Sequence, residues 1–202
     1  HVPLPTFFSD EQVAHALASS AAQAMLVAEG AGARPGTRSL APLLAGTGLS
    51  GWALEHAELA LPAGTACVTY TSGTTGRPKG VCLDAPALMT VAGSLVEASA
   101  RIAPQRHLCL MPLSTLLENV AGLYATLLAD AQIALPSLAE IGYTGASGLD
   151  VPSLLRCLHR YQPQSVILVP QLLLALVMAA EQGAPLPSVS YTHLTLPTIY
   201  SV

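Results

Sequence analysis

Charged residues are scarce in this 202-residue chain: only 10% are Asp, Glu, Lys or Arg, whereas 51% are hydrophobic. Aromatic residues are also few, at 4%, and the mean hydropathy is +0.52. Disordered segments combine low hydrophobicity with high charge, so this composition excludes disorder. A net charge of −4 also argues against a basic surface for nucleic acid. Because free-standing domains carry about 25% charged residues, we interpret the chain as a fragment from the interior of a longer protein.

The sequence also lacks close cysteine pairs and a long apolar run. Its four cysteines are Cys67, Cys82, Cys109 and Cys157. Their spacing contains no CxxC, so we expect buried reduced thiols and no metal site. The longest apolar stretch, 165–180, is interrupted by Pro170, and a membrane-spanning helix needs about 20 residues. No charged-then-apolar leader opens the chain, so the default expectation is a cytoplasmic protein without a transmembrane segment.

The first sixty residues give mixed signals. Ser9 and Gln12 have the spacing of a capping box and predict a helix near 9–22. A short buried strand is predicted at 25–28 and a loop at 30–36. The acidic residues around His56 have the residue types of a ligand cluster, but we interpret them as a solvated face.

Strands and helices alternate through the rest of the chain. Strands are predicted at 65–70, 80–83, 107–111, 132–135 and 165–169. Helices are predicted at 86–101, 114–129, 152–161 and 170–182. Such βαβ units are typical of an α/β fold with a mostly parallel sheet flanked by helices. Strands buried on both faces would account for the scarcity of charge.

One polar segment, YTSGTTGRPKG at 70–80, lies between two apolar strands. Its hydroxyl and glycine residues are Thr71, Ser72, Gly73, Thr74, Thr75 and Gly76. Glycine allows a ligand to approach the backbone closely, and the hydroxyl groups and exposed amides are donors for an anion. Lys79, the only lysine in the chain, adds a compact and mobile positive charge. The segment therefore predicts a loop that binds the phosphates of a nucleotide.

A Walker A loop does not fit this segment. That motif requires GxxxxGK followed by Ser or Thr at the start of a helix. Here Lys79 precedes Gly80, and the pattern that follows predicts a strand.

The segment at 70–80 resembles the phosphate-binding loop of the adenylate-forming superfamily, which includes acyl-CoA synthetases, aryl-CoA ligases, luciferases and peptide-synthetase adenylation domains. Residues 81–88 continue as these enzymes do. MPL at 111–113 and LEN at 117–119 resemble the next block of long-chain acyl-CoA synthetases. The resemblance covers about residues 1–187 and implies part of an N-terminal AMP-binding domain.

The resemblance also implies a chemistry and a set of binding residues. The phosphates of ATP would be held by Thr71, Ser72, Gly73, Thr74, Thr75 and Gly76. Lys79 would be catalytic, by neutralising charge as pyrophosphate leaves. The parent protein would be most like a long-chain fatty acyl-CoA synthetase. It would join a carboxylate, a fatty acid, to AMP and then to CoA, with ATP and Mg²⁺ as cofactors. The alternatives are an aryl-CoA ligase, a peptide-synthetase adenylation domain, or a non-catalytic nucleotide-binding or membrane-associated piece.

Several features depart from the pattern of the superfamily. Thr115 stands where many members have His, and Asp84 begins a pair that is often Ser-His; both residue types also suit helix N-caps. The later ligands for Mg²⁺ and ribose and the second catalytic lysine have no counterpart, so we expect the chain alone to be inactive. Residues 188–202 contain no Ala, Gly or charge and resemble a translated sequencing adapter. We therefore interpret them as a non-native tail.

Overall fold

The computed structural model describes residues 1–28, 37–40, 46–54, 59–71, 78–144 and 148–185. The loop predicted at 30–36, the acidic residues around His56 and the tail at 188–202 lie outside these ranges. The chain divides into two compact units, His1–Ala85 and Pro86–Val202. Helices and strands occur in both units, which confirms the predicted α/β class.

The described part of the first unit contains one helix and five strands. They are α1 Asp10–Ser19, β1 Ala24–Ala28, β2 Thr37–Ser39, β3 Leu49–Leu54, β4 Thr65–Thr71 and β5 Lys79–Asp84. One sheet has the order β1-β3-β2, and β4 and β5 form a separate pair. All these pairings are antiparallel.

Helix α1 begins as the sequence predicts and ends three residues earlier. The Gln12 amide donates to Ser9 Oγ at 3.2 Å, and the Ser9 amide donates to Gln12 Oε1 at 2.9 Å, which confirms the capping box. The helix stops because Ala21 has φ of 52°, a left-handed conformation that an α-helix cannot include. Ala16 of this helix packs with Val68 of β4 in the core of the unit.

Strand β1 confirms the strand predicted at 25–28 but not its burial. Its residues alternate between exposed and half-buried. Leu26 is 59% exposed, and β1 lies at the edge of its described sheet. The prediction of a buried strand is therefore wrong.

The second unit contains the parallel sheet. Its described elements are α2 Ala85–Ser99, β6 Arg106–Leu108, a π-helix Glu118–Tyr124, α3 Ala125–Leu128, β7 Gln132–Ala134, α4 Leu138–Ile141, β8 Tyr143–Thr144, β9 Gly148–Leu149, α5 Val151–Tyr161, β10 Ser165–Val166 and α6 Pro170–Glu181. Strand β6 lies between β10 and β7 and runs parallel to both. This is the βαβ arrangement that the sequence predicts, although parallel pairing within the described residues is confined to this sheet.

The helix predicted at 114–129 differs in kind from the observed one. Seven of its residues, Glu118–Tyr124, form a π-helix that continues into α3. A π-helix is rare, and it commonly occurs at functional sites. Its buried residues include Glu118 and Asn119, which are polar.

The core of the second unit is a cluster of aliphatic side chains and one thiol. Its buried members are Leu108, Leu110, Ile141, Leu154, Cys157, Leu158, Leu172 and Leu176. Large apolar side chains are also exposed, with Leu127 at 60% and Leu174 at 59%. Buried strands alone therefore do not account for the scarcity of charge.

The core of the second unit should be sensitive to cavity formation at Leu154, which is fully buried. We expect Leu154→Ala to lower the free energy of unfolding by about 2–5 kcal/mol, because deletion of a buried leucine removes packing and leaves a cavity. The exposed Leu174→Ala is the matched control and should change it by no more than about 0.5 kcal/mol. Urea unfolding measures both, and equal losses would contradict this assignment of the core.

Candidate functional site

The predicted phosphate-binding segment joins the two strands of an antiparallel hairpin. Thr71 is the last residue of β4, Lys79 is the first of β5, and the two are register partners. Both are exposed. The structure therefore brings together two of the predicted site residues at the point where the segment leaves and re-enters the sheet. The other five, Ser72, Gly73, Thr74, Thr75 and Gly76, lie outside the described residues.

The strand register places Gly80 opposite Tyr70. A Cβ atom at position 80 would lie 3.2 Å from the Tyr70 ring and 3.1 Å from Val68 Cγ1. Gly80 therefore allows these side chains to pack closely against the backbone of β5. The last glycine of the segment has a packing role that is separate from ligand binding.

Helix α1 contacts both strand ends of the hairpin. The Tyr70 hydroxyl donates to the Ala16 carbonyl at 2.9 Å and lies 2.7 Å from Ser19 Oγ. His15 Nε2 donates to the carbonyl of Pro78, the residue before Lys79, at 3.0 Å. These contacts fix the residues immediately beside Thr71 and Lys79. His15 and Ser19 were missed by the sequence analysis, because four-residue spacing indicates a shared helix face but not the strand it contacts.

A second group of polar residues is buried in the Pro86–Val202 unit. His107, Cys109 and Glu118 place a ring nitrogen, a thiol sulfur and a carboxylate oxygen within 4.8 Å of one another. His107 Nε2 lies 3.1 Å from Glu118 Oε1, and His107 Nδ1 lies 2.9 Å from Ser165 Oγ. Glu118 is fully buried. Burial first, and the nearby Glu118 carboxylate second, raise the pKa of the Cys109 thiol.

The π-helix also holds the chain that follows β6. Glu118 Oε2 accepts a hydrogen bond from the Met111 amide at 3.2 Å. Asn119 Nδ2 donates to the Leu113 carbonyl at 3.2 Å. The two polar residues of LEN thus fix the backbone of MPL, which links the two halves of the block identified in the sequence. The Asn119 Oδ1 atom is buried without a hydrogen-bond partner among the described residues.

Gly122 allows the π-helix to approach this cluster. A Cβ atom at position 122 would collide with Glu118 Oε1 and would lie 2.9 Å from His107 Nε2. Any larger residue at this position must displace at least one of the two buried polar side chains. The glycine is therefore part of the arrangement that buries the pair.

The sequence analysis predicted no metal site and missed this cluster. One signal was present: His107 in β6 and Cys109 directly after it are two residues apart, and alternate side chains of an extended segment share a face. Glu118 gave no signal, because an acidic residue in an apolar helix pattern is typical of the exposed side. Only the tertiary structure places its carboxylate against the strand.

One small cavity lies at the start of the parallel sheet. It has a volume of about 130 Å³, and its lining includes Arg106, Gln132 and Tyr161. Pockets for small molecules are commonly about 300–1,000 Å³. This cavity is therefore too small to be the nucleotide site.

The sequence profile of the family described as "AMP-binding enzyme" matches residues 1–196, which is nearly the whole chain. The chain belongs to the AMP-binding enzyme family. This match confirms the superfamily that the segment at 70–80 resembles. It overlaps residues 188–196 of the tail that we interpreted as non-native. No curated protein matches the sequence at a significant level.

Solved structures of adenylate-forming enzymes are similar to this chain. A malonyl-CoA ligase with methylmalonyl-CoA and AMP bound is 23% identical with a TM-score of 0.60, over 90% of this chain and 36% of the ligase. O-succinylbenzoate coenzyme A synthetase from Bacillus subtilis, in complex with AMP, is 23% identical with a TM-score of 0.44, over 66% of this chain and 32% of that one. The amide bond synthetase McbA from Marinactinospora thermotolerans is 26% identical with a TM-score of 0.40, over 63% and 24% of the two chains.

Of these three, the malonyl-CoA ligase alone exceeds a TM-score of 0.5, and at 23% identity it supports the fold and nothing finer. The present chain spans about a third of the length of that ligase. None of the helices within the described residues combines the length and hydropathy needed to span a membrane.

The close approach of Gly122 to the buried pair gives a testable expectation. Gly122→Ala should destabilise the protein by at least about 1 kcal/mol, because overpacking of a buried site forces side chains or backbone to shift. Gly93→Ala is the matched control, since Gly93 lies within helix α2 with no atom within 4 Å of an added Cβ. It should stabilise the protein by about 0.5–1 kcal/mol. Thermal unfolding measures both, and the same sign for the two variants would contradict the close approach.

Proposed function

We propose that this chain is part of the N-terminal domain of an ATP-dependent, AMP-forming carboxylate ligase. The observation that carries the proposal is the segment YTSGTTGRPKG in a chain of the AMP-binding family, with its described ends Thr71 and Lys79 paired on one hairpin. The product would be an acyl-adenylate, which then reacts with the thiol of CoA. We propose a fatty acid as the carboxylate, supported by the likeness of residues 111–119 to long-chain acyl-CoA synthetases.

The hairpin residues suit the electrostatics of adenylation. A substrate carboxylate oxygen attacks the α-phosphorus of ATP, and the bond from that phosphorus to the bridging oxygen breaks. Negative charge builds on the leaving pyrophosphate, where preorganised donors and a cation lower the barrier. The hydroxyl groups of Thr71, Ser72, Thr74 and Thr75 would donate to the β- and γ-phosphate oxygens. The Lys79 ammonium would follow the pyrophosphate as it departs.

The hairpin ends do not fit Mg²⁺ by themselves. Magnesium in nucleotide sites binds oxygen ligands, usually one or two carboxylates together with phosphates. Thr71 and Lys79 offer a hydroxyl and an ammonium, and neither is a carboxylate. Mg²⁺ would therefore be held by the phosphates of ATP and not by these two residues.

The extent of the native sequence and the activity of the chain are also part of the proposal. We propose residues 1–187 as the native portion of the AMP-binding domain, acting in the cytoplasm, and 188–202 as a non-native tail on the basis of its composition. We further propose that the 202-residue chain alone does not form acyl-adenylates. Detection of pyrophosphate exchange by the purified chain would contradict the proposed inactivity. Ordinary coding sequence under residues 188–202, continuing into residues like those of the family, would contradict the proposed non-native tail.

The decisive experiment uses the complete reading frame and a panel of carboxylates, with AMP release as the readout. Lys79→Ala should lower the rate about 10²- to 10³-fold, the usual effect of removing one electrostatic donor to the transition state. Arg101→Ala, which removes an exposed cation at another position, is the control and should leave the rate within about twofold, as expected for a surface change.

An unchanged rate for Lys79→Ala would overturn the role of this lysine. The panel tests the substrate separately. Long-chain fatty acids should give the highest kcat/KM, and faster turnover with aryl carboxylates or amino acids would favour one of the other members of the superfamily.

A further inference from the structure

The buried group formed by His107, Cys109 and Glu118, the His-Cys-Glu cluster, has the composition of a metal site. We propose that it binds one divalent transition-metal ion of the zinc class. The ligand atoms would be His107 Nε2, Cys109 Sγ and one oxygen of Glu118. This site goes beyond the proposed ligase chemistry, since it belongs to another segment of the chain and does not involve the phosphate-binding hairpin.

The geometry of the cluster is close to that of bound zinc. All three ligand atoms lie within 4.8 Å of one another, and the nitrogen and the carboxylate oxygen are 3.1 Å apart. Two ligands on one tetrahedral zinc ion, at about 2.0–2.3 Å from the metal, lie about 3.3–3.8 Å from each other. Small side-chain shifts therefore suffice to seat the ion. Three protein ligands leave a fourth position for water or another small donor.

The neighbours of the cluster orient its ligands in the way that metal sites require. A histidine that binds metal through one nitrogen almost always donates a hydrogen bond from the other, and bound carboxylates are themselves hydrogen-bonded. His107 Nδ1 lies 2.9 Å from Ser165 Oγ, and Glu118 Oε2 accepts from the Met111 amide at 3.2 Å. Nε2 and Oε1 consequently face each other, in the orientation that a shared ion would require. Gly122 keeps the space beside them clear of a side chain.

The charges of the cluster are also compatible with a divalent ion. A buried carboxylate is costly unless it is paired. A zinc-class ion carries two positive charges, which the Glu118 carboxylate and a Cys109 thiolate would neutralise with the imidazole neutral. On binding, the bond from Sγ to its proton breaks, the proton goes to solvent and the sulfur lone pair coordinates the ion. The buried cluster would then carry no net charge.

The donor set distinguishes this ion from the Mg²⁺ of the nucleotide reaction. Sulfur and imidazole nitrogen favour zinc and its neighbours in the first transition series, whereas Mg²⁺ prefers six oxygen ligands. Loss of the proposed ion and loss of ligase activity are therefore separate observations. The site would survive if the function proposed above failed.

The test uses the full 202-residue chain with Co²⁺ as the spectroscopic probe and Zn²⁺ as the competing ion. We expect one equivalent of Co²⁺ to bind with a thiolate-to-cobalt charge-transfer band, and Zn²⁺ to displace it. Cys109→Ala should abolish the band and weaken binding at least tenfold. Cys157→Ala is the matched control, because Cys157 is a buried thiol of the same unit outside the cluster, and it should retain both the band and the affinity.

A second variant separates a metal site from a hydrogen-bonded cluster. Ser165→Ala removes the partner of His107 Nδ1 and should weaken Co²⁺ binding about 10- to 100-fold, as loss of a supporting hydrogen bond does, while the band remains. Circular dichroism monitors the fold of each variant. A folded wild-type chain without a stoichiometric thiolate band, or Cys109→Ala that binds as the wild type does, would overturn the proposal.

Folding itself provides a further readout. If the metal-free chain is unfolded, Zn²⁺ should restore its circular dichroism spectrum, since binding to a structural site contributes directly to the free energy of folding. Failure of Zn²⁺ to do so would also count against the site. In a chain that folds without metal, Zn²⁺ should raise Tm for the wild type and for Cys157→Ala but not for Cys109→Ala.

Discussion

The antiparallel pairing of β4 with β5 is the constraint on which the functional assignment depends. It places Thr71 and Lys79 opposite each other, at the two ends of the intervening segment. Helix α1 holds both strands through Tyr70 and His15. In the proposed ligase these fixed strand ends would be an advantage, because donors that are already in position need no reorganisation during the reaction.

The second unit uses its polar residues differently, since it buries them. Glu118 contacts both the imidazole of His107 and the Met111 amide, so one side chain connects the strand, the following segment and the π-helix. Buried polar groups of this kind stabilise only when all of their partners are satisfied. The requirement for Gly122 shows how closely the helix must approach for this to occur. The LEN block is therefore a packing unit as well as a point of likeness to acyl-CoA synthetases.

Local signals predicted the fold well where the cause of a structure is local. The capping box at Ser9 fixed the start of α1, and the β-branched residues at 65–70 marked β4, because both depend on neighbours in sequence. The end of α1 at Ser19 depends on the positive φ of Ala21, which the residue type does not predict. The exposure of Leu26 and the burial of Glu118 in the π-helix depend on what packs against each element. These are tertiary effects, and periodicity in one sequence does not contain them.

The candidate sites differ in the same way: one is made of consecutive residues and the other is brought together only by the fold. The segment at 70–80 is contiguous, so its residue types alone suggested an anion site and a family, and the match to the AMP-binding family confirms the family. The His-Cys-Glu cluster combines residues from β6 and from the π-helix, and His107 and Glu118 are eleven residues apart in the sequence. Its histidine lies in β6 and its cysteine directly after that strand, at a two-residue spacing that ordinary core residues share, and its glutamate has no local signal. A contiguous loop rich in hydroxyl and amide donors suits phosphate oxygens, which accept hydrogen bonds, whereas a noncontiguous sulfur, nitrogen and oxygen set suits a transition-metal cation. The difference in ligand chemistry follows from the difference in how each site is built.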